Sequence, residues 1–129
     1  MKLLGIDFGE KNLGLAFSEG FLPTPLPTIA IKTQKQVLAE ITEIVKRLEI
    51  GTIVLGLSGG KLDPKVKAFG ALLAKHTQVP VVYVDETLSS REAITKMVEA
   101  KTSRKKRRAM EHSVAATIIL NTHLESQQS

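Results

Sequence analysis

Two short runs, TIVLGL (52–57) and VPVVYV (79–84), are β-branched and apolar on both faces. Strands that read this way are covered on both sides, which is the habit of parallel sheets. Helical patterns precede and separate them. Val37, Leu38, Ile41, Ile44, Val45 and Leu48 recur with the spacing of one helical stripe, and Val66, Phe69, Leu72 and Leu73 follow Pro64 in the same way. Parallel strands need such crossovers, so this half of the chain is built of β/α units with helices lying on the sheet.

The first thirty residues follow another rule. LLGIDFGEKNLGLAFS reads as a strand at 2–8, a turn at GEKN and a returning strand at 13–18, with Gly9 supplying a positive-φ or tight position. GFLPTPLPTIAI carries three prolines, which exclude helix and leave an edge strand at about 27–32. Thr33 can cap the first helix and Gly51 can end it, while Pro64 can open a second helix running to Lys75. Ser89 and Glu92 form an S-x-x-E capping box for a helix to about Ala100. RAMEHSVAATIILNTHLE is a last helix, packing through Ala115, Ala116, Ile119 and Leu120. The expected order is three antiparallel strands, then helix, strand, helix, strand, helix, helix. That makes an α/β fold with a mixed five-stranded sheet, in a single domain over 1–125 with a polar tail at 126–129.

Charge narrows the partners. The formal net charge is +5 and the sequence pI about 9.6, and six of the eight residues in KTSRKKRR (101–108) are Lys or Arg. A basic excess favours polyanions. With one Tyr, four Phe and no Trp, an extended platform for stacking single-stranded bases is not expected, and contacts to phosphates and duplex shape are. Lys11, Arg104, Lys105, Lys106, Arg107 and Arg108 are the candidate nucleic-acid contacts. The chain has no cysteine, which removes thiolate metal sites. No run is apolar enough to span a bilayer and the N-terminus lacks a signal-peptide pattern, so the expected location is cytoplasmic.

Acidic groups fall at three places. Asp7 interrupts an apolar strand near its end. Asp85 and Glu86 follow VPVVYV, and Glu111 and His112 lie early in the last helix. Ligand sites in such sheets lie beyond the carboxyl ends of the parallel strands. Carboxylates gathered there in a polyanion-binding protein suit Mg²⁺ or Mn²⁺, with Asp7, Asp85, Glu86 and His112 as candidate ligands. Asp7, Glu86 and His112 are the catalytic candidates. Structural roles stay open to each: Asp7 bonding hairpin amides or pairing with Lys11, Asp85 and Glu86 as turn residues, His112 as a core histidine, and the basic run as a solvated connection. One strand between those of Asp7 and Glu86 would put their backbones about 10 Å apart. The glycines of GLSGG would then leave room above it.

GIDFGEKNLGLAFS, PLPTI, IVLGLSGG, VVYVDETLSSREA and HSVAATIIL occur in the order seen in the YqgF family, also called RuvX, and the chain resembles that family over nearly its full length. The resemblance implies a ribonuclease-H-like fold and a divalent-metal-dependent nuclease. It also implies a role in 5′-end maturation of precursor 16S rRNA, or cleavage of branched DNA such as Holliday junctions. By matching motif it makes Asp7 and Glu86 the acidic site residues, with Asp85 beside them. Three positions depart from the family pattern. His112 stands where members usually carry Asp, Ser58 where proline is common, and Thr87 where arginine is usual. The first departure raises the alternative of a catalytically weakened RNA-binding factor in ribosome biogenesis.

Overall fold

The computed structural model describes the backbone of residues 2–85 and 104–127, and the side chains of 2–85 and 113–126. Five strands form one sheet in the order β3-β2-β1-β4-β5. They are β1 (Leu3–Phe8), β2 (Asn12–Ser18), β3 (Thr24–Ala30), β4 (Thr52–Leu57) and β5 (Val81–Asp85). β1, β2 and β3 pair antiparallel, while β1, β4 and β5 run parallel. The helices are α1 (Gln34–Arg47), α2 (Asp63–Thr77) and α3 (Arg104–Gln127). The mixed five-stranded sheet read from the sequence is therefore present.

Period-two alternation divides the sheet between two helix layers. Leu4, Ile6, Leu13, Leu15, Ile53 and Leu55 face α1 and α2, where they meet Val37, Ile41, Phe69 and Leu73. Leu3, Ala16 and Val54 face α3, where they meet Ala116, Ile119 and Leu120. Gly5 lies on that second face, and its lack of a side chain sets how closely α3 approaches. A Cβ built there would sit 2.5 Å from Leu120 Cγ and 2.9 Å from the Ala116 carbonyl oxygen. Buried Ser113 ties the same helix to the far side of the sheet, donating from Oγ to the Leu26 carbonyl at 2.6 Å.

Several boundaries differ from the expectations, each for a local reason. β3 begins at Thr24 rather than near 27, taking in Pro25 and Pro27. It is an edge strand, where an N–H pointing away from the neighbour is not needed. Gly9 does not adopt a positive φ. Instead its N–H donates to the Asn12 carbonyl at 3.0 Å, closing the hairpin. Thr33 does cap α1, in a reciprocal capping box with Gln36. Gly51 does not end that helix, because the turn is completed two residues earlier. Ile50 N–H donates to the Val45 carbonyl and Glu49 N–H to that of Lys46, with Glu49 left-handed at φ 55°. This is a Schellman end with glutamate at the position that favours glycine.

Glu49→Gly is therefore expected to stabilise the fold. The left-handed penalty of about 1–2 kcal/mol exceeds glycine's unfolded-state entropy of about 0.4–1 kcal/mol. Glu49 also pairs with Lys2 at 3.3 Å, but the Glu49 side chain is exposed and that of Lys2 partly so, so little is lost with it. The net gain is about 0.5 kcal/mol, read as a higher thermal midpoint.

α2 is opened by Pro64, as expected, but extends to Thr77. β5 was expected to be buried on both faces. It lies at the sheet edge instead, with Tyr83 39% exposed and its hydroxyl reaching the Lys67 carbonyl on α2. An apolar run alone does not distinguish a central strand from an edge strand. α3 begins at Arg104, so most of the basic run is helical rather than a connection, and it continues through Gln127 into the segment expected to be a tail. The helix expected from Ser89 to Ala100 lies outside the described residues.

Candidate active site

Asp7 is half-buried near the carboxyl end of β1, on the sheet face that carries α3. The register that pairs Ile6 with Leu55 puts Asp7 opposite Gly56, one step on, and Gly56 pairs with Val84 of β5. The cross-strand row is thus Asp7, Gly56, Val84, with no side chain on its middle member. β4 does lie between the strands that lead to the two acidic segments. Neighbouring strands are about 4.8 Å apart, so the expected gap of about 10 Å holds for β1 and β5.

Asp85 falls differently. Val81 packs with the α1 and α2 layer, whereas Val82 and Val84 pack with the α3 layer. Alternation therefore assigns Asp85, the exposed last residue of β5, to the face opposite Asp7. The described strand does not bring these two carboxylates together. Glu86 lies outside the described residues. His112 and Glu111 occupy helical positions just before Ser113 in α3, with side chains outside the described set. Among the described residues, no three of His, Cys, Asp and Glu gather into a metal-binding group.

Lys11 is exposed in the β1–β2 turn at the same rim, and its carbonyl accepts from Ile31 N–H at 2.8 Å. The turn is thereby pinned to the segment entering α1. Arg104, Lys105, Lys106, Arg107 and Arg108 occupy the first turns of α3. The β4–α2 loop is also held. Asp63 accepts from the N–H groups of Ser58 at 3.1 Å and Gly59 at 2.9 Å, with Gly59 at φ +82°. The sequence reading gave Asp63 no role, although an acidic residue just before Pro64 at a helix start is a usable signal.

On the α1 and α2 side of the same rim lies a cavity of about 470 Å³. Its walls include Phe8, Phe69, Ile31 and Leu62, with Glu10 and Lys65 among its polar groups. Sequence reasoning missed it, because its walls come from β1, α2 and the α1 approach, which are distant in the chain.

The comparisons with known proteins agree with this frame. A relative from Clostridium acetobutylicum, named "Putative pre-16S rRNA nuclease", is 37% identical over 98% of this chain and 99% of its own length. One from a Geobacillus species with the same name is 35% identical over 99% of this chain and 100% of its own. Among solved structures, Thermus thermophilus RuvC in complex with Holliday junction substrate superposes with a TM-score of 0.68. It is 19% identical, over 100% of this chain and 96% of that one. The fowlpox virus Holliday junction resolvase gives a TM-score of 0.66 at 14% identity, over 98% of this chain and 99% of that one. Both likenesses place the sheet and helices in the ribonuclease-H-like class, whose nucleases generally use divalent metal ions. No helix among the described residues is long and apolar enough to cross a membrane. The model of the RuvX family, described as Holliday junction resolvase, matches residues 1–126, and the chain belongs to that family.

Proposed function

We propose that this protein is a divalent-metal-dependent endonuclease acting on structured nucleic acid, and that its task is 5′-end processing of precursor 16S rRNA in the cytoplasm. The observation that carries the reading is Asp7. It is a half-buried carboxylate at the carboxyl rim of a resolvase-type sheet, beside a position emptied of side chain by Gly56. The names of the full-length relatives support RNA as the substrate.

Asp7 suits Mg²⁺ or Mn²⁺ as an oxygen donor, and Asp63 does not compete for the ion, being occupied by loop amides. Alternation along β5 puts Asp85 on the face away from Asp7, so this reading takes Glu86 rather than Asp85 as the partner carboxylate. Asp7, Glu86 and His112 would hold the cation, which when bound supplies Lewis-acid stabilisation of charge on the phosphoryl oxygens. His112 can instead handle a proton at the leaving oxygen. Lys11 and the cations at 104–108 hold flanking phosphates and fix the register of the backbone.

One sequence feature favours a second reading. A neutral imidazole brings no charge to Mg²⁺, which prefers oxygen donors, but binds Mn²⁺ readily. Wild-type protein should therefore cleave better with Mn²⁺, and His112→Asp should raise Mg²⁺-supported cleavage about tenfold. Cleavage by the His112→Asp protein alone, with wild type binding RNA but cutting under neither metal, would identify the natural chain as an RNA-binding assembly factor.

The substrate is decided by one side-by-side assay. Purified protein with Mg²⁺ or Mn²⁺ is given precursor 16S rRNA 5′ ends and four-way DNA junctions. Preferential cutting of the RNA is expected. Cutting of the junction alone would make the chain a branched-DNA resolvase.

A further inference from the structure

We infer that the cavity on the α1 and α2 face receives one unstacked nucleobase of the substrate, a site that deepens the nuclease reading and rests on it. Phe8 joins the two places. It follows Asp7 directly in β1 and points to the opposite face, so the two places lie on either side of the same strand end, where a nucleic-acid strand crossing the carboxyl rim meets both. The cavity's volume of about 470 Å³ lies in the range of small-ligand pockets.

The lining matches a base. Phe8 and Phe69 stand with ring centroids 5.2 Å apart and planes tilted by 54°, giving an aromatic corner. Ile31, Val37, Leu62 and Ala68 complete apolar walls. Glu10, Gln34 and Lys65 are exposed and line the same space. A carboxylate and an amide can read the donor and acceptor edge of a base, and an ammonium can hold its phosphate. Two of the four phenylalanines thus meet at one pocket, although the chain has too few aromatics for a platform. An apolar peptide would not use this polar set, and the net charge of +5 favours a polyanion.

The test measures binding by fluorescence anisotropy in EDTA, with a labelled single-stranded RNA and the blunt duplex of the same sequence. Ala68→Trp fills the cavity from an exposed position of α2. It should weaken single-strand binding about tenfold and leave duplex binding unchanged, as stacking of one base is lost. The variant Gln34→Ala alters only an exposed, uncharged side chain and should show the same contrast. It decides the matter if Ala68→Trp does not fold by circular dichroism. Unchanged single-strand affinity, or equal loss on single strand and duplex, overturns the inference. Failure here is separable from failure of the nuclease reading. Asp7→Asn protein that still cuts would overturn that reading without touching the single-strand contrast, and loss of the contrast would leave Asp7's role intact.

Discussion

Asp7→Asn is expected to lower the cleavage rate by at least about a thousandfold and to leave nucleic-acid binding within a factor of two or so. The asymmetry follows from where the residue sits. Asn keeps the volume of Asp and an oxygen at the same place, so a half-buried position on β1 stays filled. The charge that attracts a divalent cation is gone, and a cation's contribution of several kcal/mol to the transition state corresponds to about a thousandfold in rate. In the proposed function, affinity comes from phosphate contacts of Lys11 and the cations at 104–108, which the change leaves in place. The check is a single-turnover cleavage rate beside an anisotropy titration and a melting curve. Wild-type cleavage would remove Asp7 from the chemistry, and a large fall in thermal midpoint would make its role structural.

Gly5→Ala should destabilise the protein by about 2–3 kcal/mol, a large effect for one methyl group. The new Cβ meets Leu120 at its branch point and Ala116 at its backbone oxygen. Neither is the loose end of a side chain, so α3 must lift from the sheet. The surrounding contacts of Leu3, Ala16, Val54, Ile119 and Leu120 are buried and would be loosened together. For a domain of this size the fall in thermal midpoint is roughly 10 °C. With His112 in its proposed role on α3, catalytic loss beyond the unfolded fraction is also expected. An unchanged melting curve would mean that α3 does not approach β1 as closely as the structure has it.

These two residues also mark what the sequence disclosed. Asp7's position near the end of an inner strand was legible, because the hairpin and the parallel strands around it were readable from periodicity. The close approach at Gly5 was not, since a glycine in a strand gives no sign of which helix lies against it. Asp85 and Glu86 looked equivalent as neighbours in sequence. The packing of Val81 against one layer, and of Val82 and Val84 against the other, assigns Asp85 to the face away from Asp7, while Glu86 lies outside the described residues. That the basic run begins a helix was not legible, because charge without apolar spacing carries no helical signal, yet Arg104 to Arg108 lie in α3. The end of α1 was misplaced because glycine is the expected stop signal and Glu49 adopts the left-handed turn instead. The pocket between Phe8 and Phe69 was illegible for a simpler reason: its walls meet only after the sheet and both crossovers have formed.

The central claim is that Asp7 and Glu86 share a divalent cation at the carboxyl rim. Titration of Mn²⁺ into wild-type, Asp7→Asn and Glu86→Gln proteins, followed by electron paramagnetic resonance of the free ion, tests it directly. A site is expected in the wild type that is weakened at least tenfold in each variant while both remain folded. Wild-type Mn²⁺ affinity in either variant would contradict it.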